Sequence, residues 1–138
     1  MPTTYTLPDG WYIDYQPSAT SSNDLALAAL RQSAGKAEGK CFQVGEQTHG
    51  RGRRGKQWVS KSGDGLYLSI ILCPETSRDT WSGLSFMASL AVYKALLGFI
   101  EDAHILRCSL KWPNDILYDN RKLAGILLEA STEGVVVG

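Results

Sequence analysis

The sequence has no surplus of either charge, few cysteines and histidines, and no apolar run of membrane-spanning length. Its 14 Lys and Arg offset 14 Asp and Glu, for a formal net charge of +0. That balance provides no general electrostatic capture of DNA, RNA or an anionic membrane, so any anion binding must come from local clustering. The three cysteines, Cys41, Cys73 and Cys108, are odd in number, scattered, and form no Cys-x-x-Cys pair. Each lies in or beside an apolar stretch, which reads as buried free thiols in a reducing compartment. With only His49 and His104, a Cys/His zinc site lacks both ligands and spacing, and the metal ligands stay unknown. No stretch reaches the roughly 18 apolar residues a bilayer span needs. Residues 1–15 lack the basic start and long apolar core of a secretory leader. These absences predict a soluble, cytoplasmic protein with no nucleic-acid or membrane partner.

What is present suits one globular domain of 138 residues, 43% hydrophobic, with 14 glycines. A chain of this length buries roughly two-thirds of its unfolded surface. Residues 3–15 are turn-prone, punctuated by Pro8, Asp9 and Gly10. A helix is expected from Ser21, Ser22 and Asn23, whose small polar side chains cap free N–H groups, with Leu25, Ala28 and Ala29 following at helical spacing. Gly35 ends it. Residues 40–46 read as a strand, 47–64 as a loop poor in apolar residues, and 65–73 as a second strand. Residues 81–100 have the length and all-round apolar content of a well-buried helix. Further strands are expected at 105–111, 115–118, 123–130 and 135–137, with a hairpin tip at Asp119, Asn120 and Arg121. Helices and strands interleave without regular βαβ alternation, which favours α+β over a doubly wound sheet. The chain stops within the last of these strands, which is expected of a truncated or split product.

Two segments carry chemistry. Gly50 to Lys56 places four cations (Arg51, Arg53, Arg54, Lys56) among three glycines inside a neutral chain. Glycine permits close backbone approach to an anion, and guanidinium groups match phosphate or carboxylate oxygens. No Walker loop and no Gly-x-Gly-x-x-Gly is present. Two plainer readings stand beside the ligand-wrapping one: a solvated basic loop, and an arginine-glycine nucleic-acid element. The latter usually sits in a long disordered tail, whereas this loop is short and flanked by strands. In the second segment, Lys111 to Asp115 is followed by Lys122, Gly125 and Leu127. Lys111 and Lys122 bracket the predicted hairpin and can reach one pocket, where an ammonium group stabilises phosphoryl or acyl charge. Asp115 offers a carboxylate for Mg²⁺ or for orienting a lysine, and Gly125 leaves a ligand-sized gap. The plainer reading is an ordinary hairpin with surface lysines. Trp58 and Trp112 serve equally as core aromatics or as ligand-lining rings.

In this order the segments resemble the biotin protein ligase family. The family's Ser-Thr-Asn stands here as Ser21-Ser22-Asn23. Its Gln and Gly-Arg-Gly-Arg-x-Gly stand as Gln47 and Gly50 to Gly55, with Trp58 following. Its Lys-Trp-Pro-Asn-Asp and Lys-x-x-Gly-Ile-Leu stand as Lys111 to Asp115 and Lys122 to Leu127. The resemblance runs from about Asp14 to Gly138. It implies a mixed, mostly antiparallel sheet with helices packed on it, the ligase core akin to class II aminoacyl-tRNA synthetases. The implied reaction joins biotin and ATP into biotinyl-5′-AMP, then passes biotin to a lysine of a biotin carboxyl carrier domain of the acetyl-CoA carboxylase type, with Mg²⁺ as cofactor. By the same resemblance Ser21, Ser22, Asn23 and Gln47 bond the biotin head group. Arg51, Gly52 and Arg53 form a loop that orders over the adenylate, with Gly50 and Arg54 beside them among the substrate-binding residues. Lys122 contacts the biotin carboxylate or acyl-phosphate, and Lys111 stabilises phosphate charge. Trp58, Asn114, Asp115 and Gly125 complete the substrate site.

The chain departs from the family at Ser22, where Thr is usual; the hydroxyl is kept and a methyl lost. The expected domain at 1–138 lacks the end of the family fold, including a Gly-x-Asn strand, and the small C-terminal domain. It also lacks an N-terminal winged-helix domain. The competing functional readings are a non-catalytic biotin-binding remnant and a lipoate or octanoate ligase. A homodimer is among the expected partners.

Overall fold

In a computed structural model of the chain, residues 6–138 are described, and residues 3–5 of the predicted turn-prone start lie outside the described residues. The first element is β1 (Tyr12–Gln16), followed by α1 (Ser22–Gln32) and β2 (Lys40–Val44). The arginine segment forms two short strands, β3 (Gly50–Arg51) and β4 (Gln57–Trp58), around a 3₁₀ turn at Arg53–Gly55. Then come β5 (Tyr67–Leu72), a 3₁₀ turn at Arg78–Gly83, α2 (Leu84–Leu97) and a 3₁₀ stretch at Asp102–Arg107. The chain closes with β6 (Cys108–Lys111), β7 (Asp115–Tyr118), β8 (Arg121–Gly125), β9 (Leu128–Ala130) and β10 (Val135–Val137). The fold is α+β, with two helices against mostly antiparallel sheets.

One sheet has the order β1-β2-β5-β10-β9, parallel only between β1 and β2. A second has the order β6-β7-β8, antiparallel throughout. The helix α1 starts as its sequence predicts: Ser21 caps it, its Oγ accepting from the Asp24 N–H at 3.0 Å. Its buried face carries Ala26 and Leu30, with Leu25, Leu27 and Ala29 partly covered, and Ala28 turns to solvent. That face packs on Phe42, Ile71 and Val136 of the larger sheet. A separate cluster of Cys108, Ile116 and Ile126 lies under Ala88, Tyr93 and Leu96 of α2. Full burial of such aliphatic side chains contributes about 1.5–3 kcal/mol each. The three cysteines are free; Cys41 and Cys108 are buried and Cys73 is half-buried.

Four expectations needed correction. Residues 12–16 form an edge strand, not a turn; all but Gln16 are exposed, so no apolar alternation announces it. The helix α2 is not well buried: it packs on β6 and β7 with one face, and Phe86, Met87 and Val92 stay exposed. The strand expected at 105–111 begins only at Cys108, after 3₁₀ backbone. The strand expected at 123–130 is two strands. At Ile126 and Leu127 the chain leaves the smaller sheet, with Ile126 N–H bonded to Asn114 C=O at 2.9 Å, and joins the larger one through Gly138. The hairpin tip is confirmed in kind: Asp119 (φ 48°) and Asn120 (φ 60°) are both left-handed, the pattern of a type I′ turn.

Because Ile116 is completely buried, Ile116→Ala is expected to cost about 2–5 kcal/mol. Leu106→Ala, at a side chain 98% exposed, should change stability by no more than about 0.5 kcal/mol. Urea unfolding of the two variants checks this contrast.

Candidate active site

The start of α1, the arginine hairpin and the smaller sheet enclose a cleft of about 710 Å³. Strand register explains why its cations meet. Lys111 on β6 lies opposite Asp115 on β7, and Asp115 lies opposite Gly125 on β8, so all three share a face. Lys122 stands three residues before Gly125, a spacing that in a regular strand points to the other face. A bulge at Leu123 restores the phase, pairing Lys122 with Leu117, two residues from Asp115. Lys122 Nζ then sits 2.7 Å from Asp115 Oδ1, a charge contact without hydrogen-bond alignment. The same ammonium lies 5.2 Å from the centroid of the Trp58 ring. Gly125 does not leave an open gap here. A β-carbon there would come within 2.8 Å of Lys122 Cε and 3.2 Å of Trp58, so the missing side chain makes room for the lysine.

The arginine segment is folded, not a plain loop. Gly52 N–H bonds the Lys56 C=O at 2.6 Å, and Arg54 (φ 57°) and Gly55 (φ 73°) turn the chain through left-handed backbone. Arg53 Nη1 donates to Asn114 Oδ1 at 3.2 Å, and Asn114 Nδ2 donates to the Ile126 C=O at 2.7 Å, tying the turn to the smaller sheet. Arg51 is engaged within the protein: Nη1 lies 2.7 Å from Asp24 Oδ1 and Nη2 lies 3.0 Å from Glu129 Oε2. Burial pushes the Asp24 carboxyl up, but hydrogen bonds with Thr20, Arg51 and Ser21, and the Arg51 charge, outweigh it and hold it below its ordinary value. Among the described residues, Arg53 and Lys111 have no carboxylate at ion-pair distance.

The other end of the cleft is neutral and polar. Ser21, Ser22 and Asn23 are buried where α1 begins. Gln47 Oε1 accepts from Ser22 N–H at 2.9 Å, and Ser69 Oγ donates to Asn23 Oδ1 at 2.5 Å.

Of the residues predicted for the site, Ser21, Ser22, Asn23, Gln47, Arg51, Gly52, Arg53, Arg54, Trp58, Lys111, Asn114, Asp115, Lys122 and Gly125 all line this one cleft. Gly50 does not. It is buried opposite Trp58, and a β-carbon would stand 2.5 Å from the Trp58 C=O oxygen, so it serves the packing of the hairpin. Ser69, Glu129 and Gly138 were missed. Ser69 and Glu129 sit in ordinary strand sequence, and no short-range pattern marks them. Gly138 lines the cleft beside Asn23, where any side chain would overlap the Asn23 amide.

Comparison with known proteins bears on this arrangement. The model of the biotin/lipoate A/B protein ligase family matches residues 14–138. The chain belongs to that family. The biotin–[acetyl-CoA-carboxylase] ligase of Paracoccus denitrificans is 39% identical over 106 residues, covering 77% of this chain and 43% of that protein. The bifunctional ligase/repressor BirA of Bacillus spizizenii is 34% identical over 124 residues, covering 90% and 36%. The crystal structure of the Leishmania major biotin protein ligase in complex with biotinyl-5-AMP superposes with a TM-score of 0.77 at 28% identity, covering 91% and 55%. The ligase fold akin to class II aminoacyl-tRNA synthetases is thus the fold of this chain. The chain spans about half or less of the length of these relatives. No helix among the described residues is long and apolar enough to cross a membrane.

The Asp24–Arg51 pair sets a pH dependence. The folded-state value of Asp24 lies below its ordinary 3.8, so the pair stabilises fully above about pH 4 and is lost as pH falls through the lower folded value. Asp24→Asn should therefore be less stable than the native chain at neutral pH, with the difference shrinking as pH falls below about 4 and the carboxylate takes up its proton. Thermal melts across that range check it.

Proposed function

We propose that the chain is the catalytic core of an ATP-dependent biotin protein ligase. The observation that carries the reading is the shared cleft: Arg53, Lys111 and Lys122, from three separate segments, face one cavity whose far end is neutral and polar. The family membership and the named ligands and activities of the relatives support it.

In the first step the biotin carboxylate oxygen attacks the α-phosphorus of ATP, and the bond to pyrophosphate breaks. In the second, the ε-amine of an acceptor lysine attacks the acyl carbon. AMP leaves with the bonding pair, and the amine proton passes to solvent or a base. Both steps concentrate negative charge at phosphate, so the residues' task is chiefly positioning and electrostatic stabilisation. Ser22, Asn23 and Gln47 are the groups for the ureido head of biotin, a neutral donor-acceptor ring suited to buried hydroxyls and amides. Lys122 is placed for the carboxylate and acyl-phosphate. Arg53 and Lys111, without carboxylate partners among the described residues, are the cations for the phosphates. The arginine hairpin shields the mixed anhydride from water.

The cleft lining has one carboxylate, Asp115. That suits Mg²⁺, commonly bound by one or two carboxylates together with substrate phosphates. Asp115 would be its protein ligand, and the ion would offset phosphate charge. The acceptor is a lysine on a biotin carboxyl carrier domain. The reading includes a cytoplasmic setting, for which the three free thiols argue. It also includes a homodimer, for which β1 offers an open edge with Tyr12, Ile13 and Tyr15 exposed.

Incubation with biotin and [α-³²P]ATP should yield protein-bound biotinyl-AMP. Arg53→Ala should release the adenylate about tenfold or more faster, as expected when a charge-assisted contact is removed. Native protein that takes up neither biotin nor ATP would contradict the reading.

A further inference from the structure

Lys111, Trp112 and Pro113 line the cleft and also a second, smaller cavity of about 120 Å³. This notch opens where α2 packs on β6. Successive strand residues point to opposite faces. Lys111 therefore faces the cleft, while Leu110 turns to the α2 side and joins the cluster of Cys108, Ile116 and Ile126. On α2, Phe86 and Ser89 are three residues apart and share a face. The small Ser89 leaves the hollow, and Phe86 walls it against the Trp112 ring, with centroids 5.5 Å apart. The lining is almost wholly apolar, and the Ser89 hydroxyl proton is spent on the Ser85 C=O at 2.8 Å. The volume equals that of about four waters at ~30 Å³ each, room for one aliphatic side chain but not for a purine. The frame is open to solvent: Trp112 is 76% exposed and Phe86 43%. Rigid aromatic rings around a small apolar hollow are typical anchors of protein interfaces.

We propose that this notch docks the protein acceptor by taking one aliphatic side chain that lies close to the acceptor lysine. The inference rests on the biotin-ligase reading, which requires a protein as third reactant beside biotin and ATP. Two features select that protein as the occupant. An apolar hollow offers nothing to a phosphate or a ureido ring, so the small reactants belong in the cleft. The notch also shares three consecutive residues with the cleft, and an extended chain rises only ~3.3 Å per residue. A side chain seated in the notch thus holds its neighbouring lysine at the cleft. Electrostatics cannot do this, because an incoming ammonium group is repelled by Arg53 and Lys111. Apolar contact is indifferent to charge and supplies the affinity that the cationic cleft withholds.

The test supplies the full chain with biotin, ATP and a biotin carboxyl carrier domain of the acetyl-CoA carboxylase type, and in parallel with hydroxylamine in place of the carrier. Hydroxylamine attacks the acyl carbon and displaces AMP without docking. Phe86→Ala and Phe86→Asp should raise the KM for the carrier about tenfold, the scale of one interface anchor. The kcat and the rate of biotinyl-hydroxamate formation should stay within about twofold of native. Serine substitutions on either side of the acceptor lysine should find one position with the same loss, and that loss should not add to the loss from Phe86→Ala. If Phe86→Asp does not fold, the carrier series against the native chain and Phe86→Ala decides. A near-native carrier KM in the Phe86 variants overturns the inference, as do equal losses with hydroxylamine or fully additive losses. So does a Phe86→Asp chain that loses self-association in sedimentation but keeps carrier transfer, which would give the notch to a second copy. A native chain that makes the hydroxamate yet biotinylates no carrier also overturns it. One that makes no hydroxamate overturns the functional reading and the inference with it.

Discussion

Cations that face one small cavity repel one another, and the molecule depends on how each is held there. In a chain of net charge +0 the clustering is local, and four of the six cations that line the cleft are held in different ways. Arg51 is clamped between Asp24 and Glu129. Lys122 lies against Asp115 and over Trp58. Arg53 is steadied by a neutral amide, Asn114, and has no carboxylate at ion-pair distance among the described residues. Lys111 is placed by strand register alone. The division is physical: Arg51 is held by carboxylates outside the cleft lining, Lys122 is held against Asp115 while still facing the cleft, and Arg53 and Lys111 are left to meet an anion. A polyphosphate or acyl-phosphate is what such an arrangement attracts.

The other half of the cleft works by the opposite rule. Ser21, Ser22 and Asn23 are buried and uncharged, and their protein bonds are already in place. Ser21 spends its oxygen on the helix cap, and Ser22 and Asn23 hold Gln47, Ser69 and Glu129. A ligand entering there meets groups whose orientation is set, which reduces the ordering cost of binding. The neutral and cationic halves match an amphiphilic occupant, a neutral ring joined to a carboxylate and then to a phosphate.

Much of this was legible in the sequence, because the relevant signals are local. The cap at Ser21, the composition from Gly50 to Lys56 and the order of the lysine blocks all lie in short windows. The cleft brings fourteen of the fifteen predicted site residues together. The exception, Gly50, has the right motif position but faces the Trp58 backbone. What escaped was long-range. The bulge at Leu123 that turns Lys122 into the cleft depends on pairing with β7. Ser69 and Glu129 matter because distant strands carry them to Asn23. The exposed edge strand β1 has no apolar rhythm to read, and α2 has apolar residues on every side but a neighbour on only one. Sequence pattern shows which residues can be buried, and packing decides which of them are.

The most direct test is the affinity of a stable sulfamate analogue of biotinyl-adenylate compared with that of biotinamide, which has no charge. Titration calorimetry would measure both in the native chain and in Arg53→Gln, Lys111→Gln and Lys122→Gln. The account predicts that each substitution weakens the analogue about tenfold or more, the scale of a charged hydrogen bond, and changes biotinamide by less than about twofold. Equal losses for both ligands, or no loss for either, would contradict the convergence of these three cations on one acyl-phosphate.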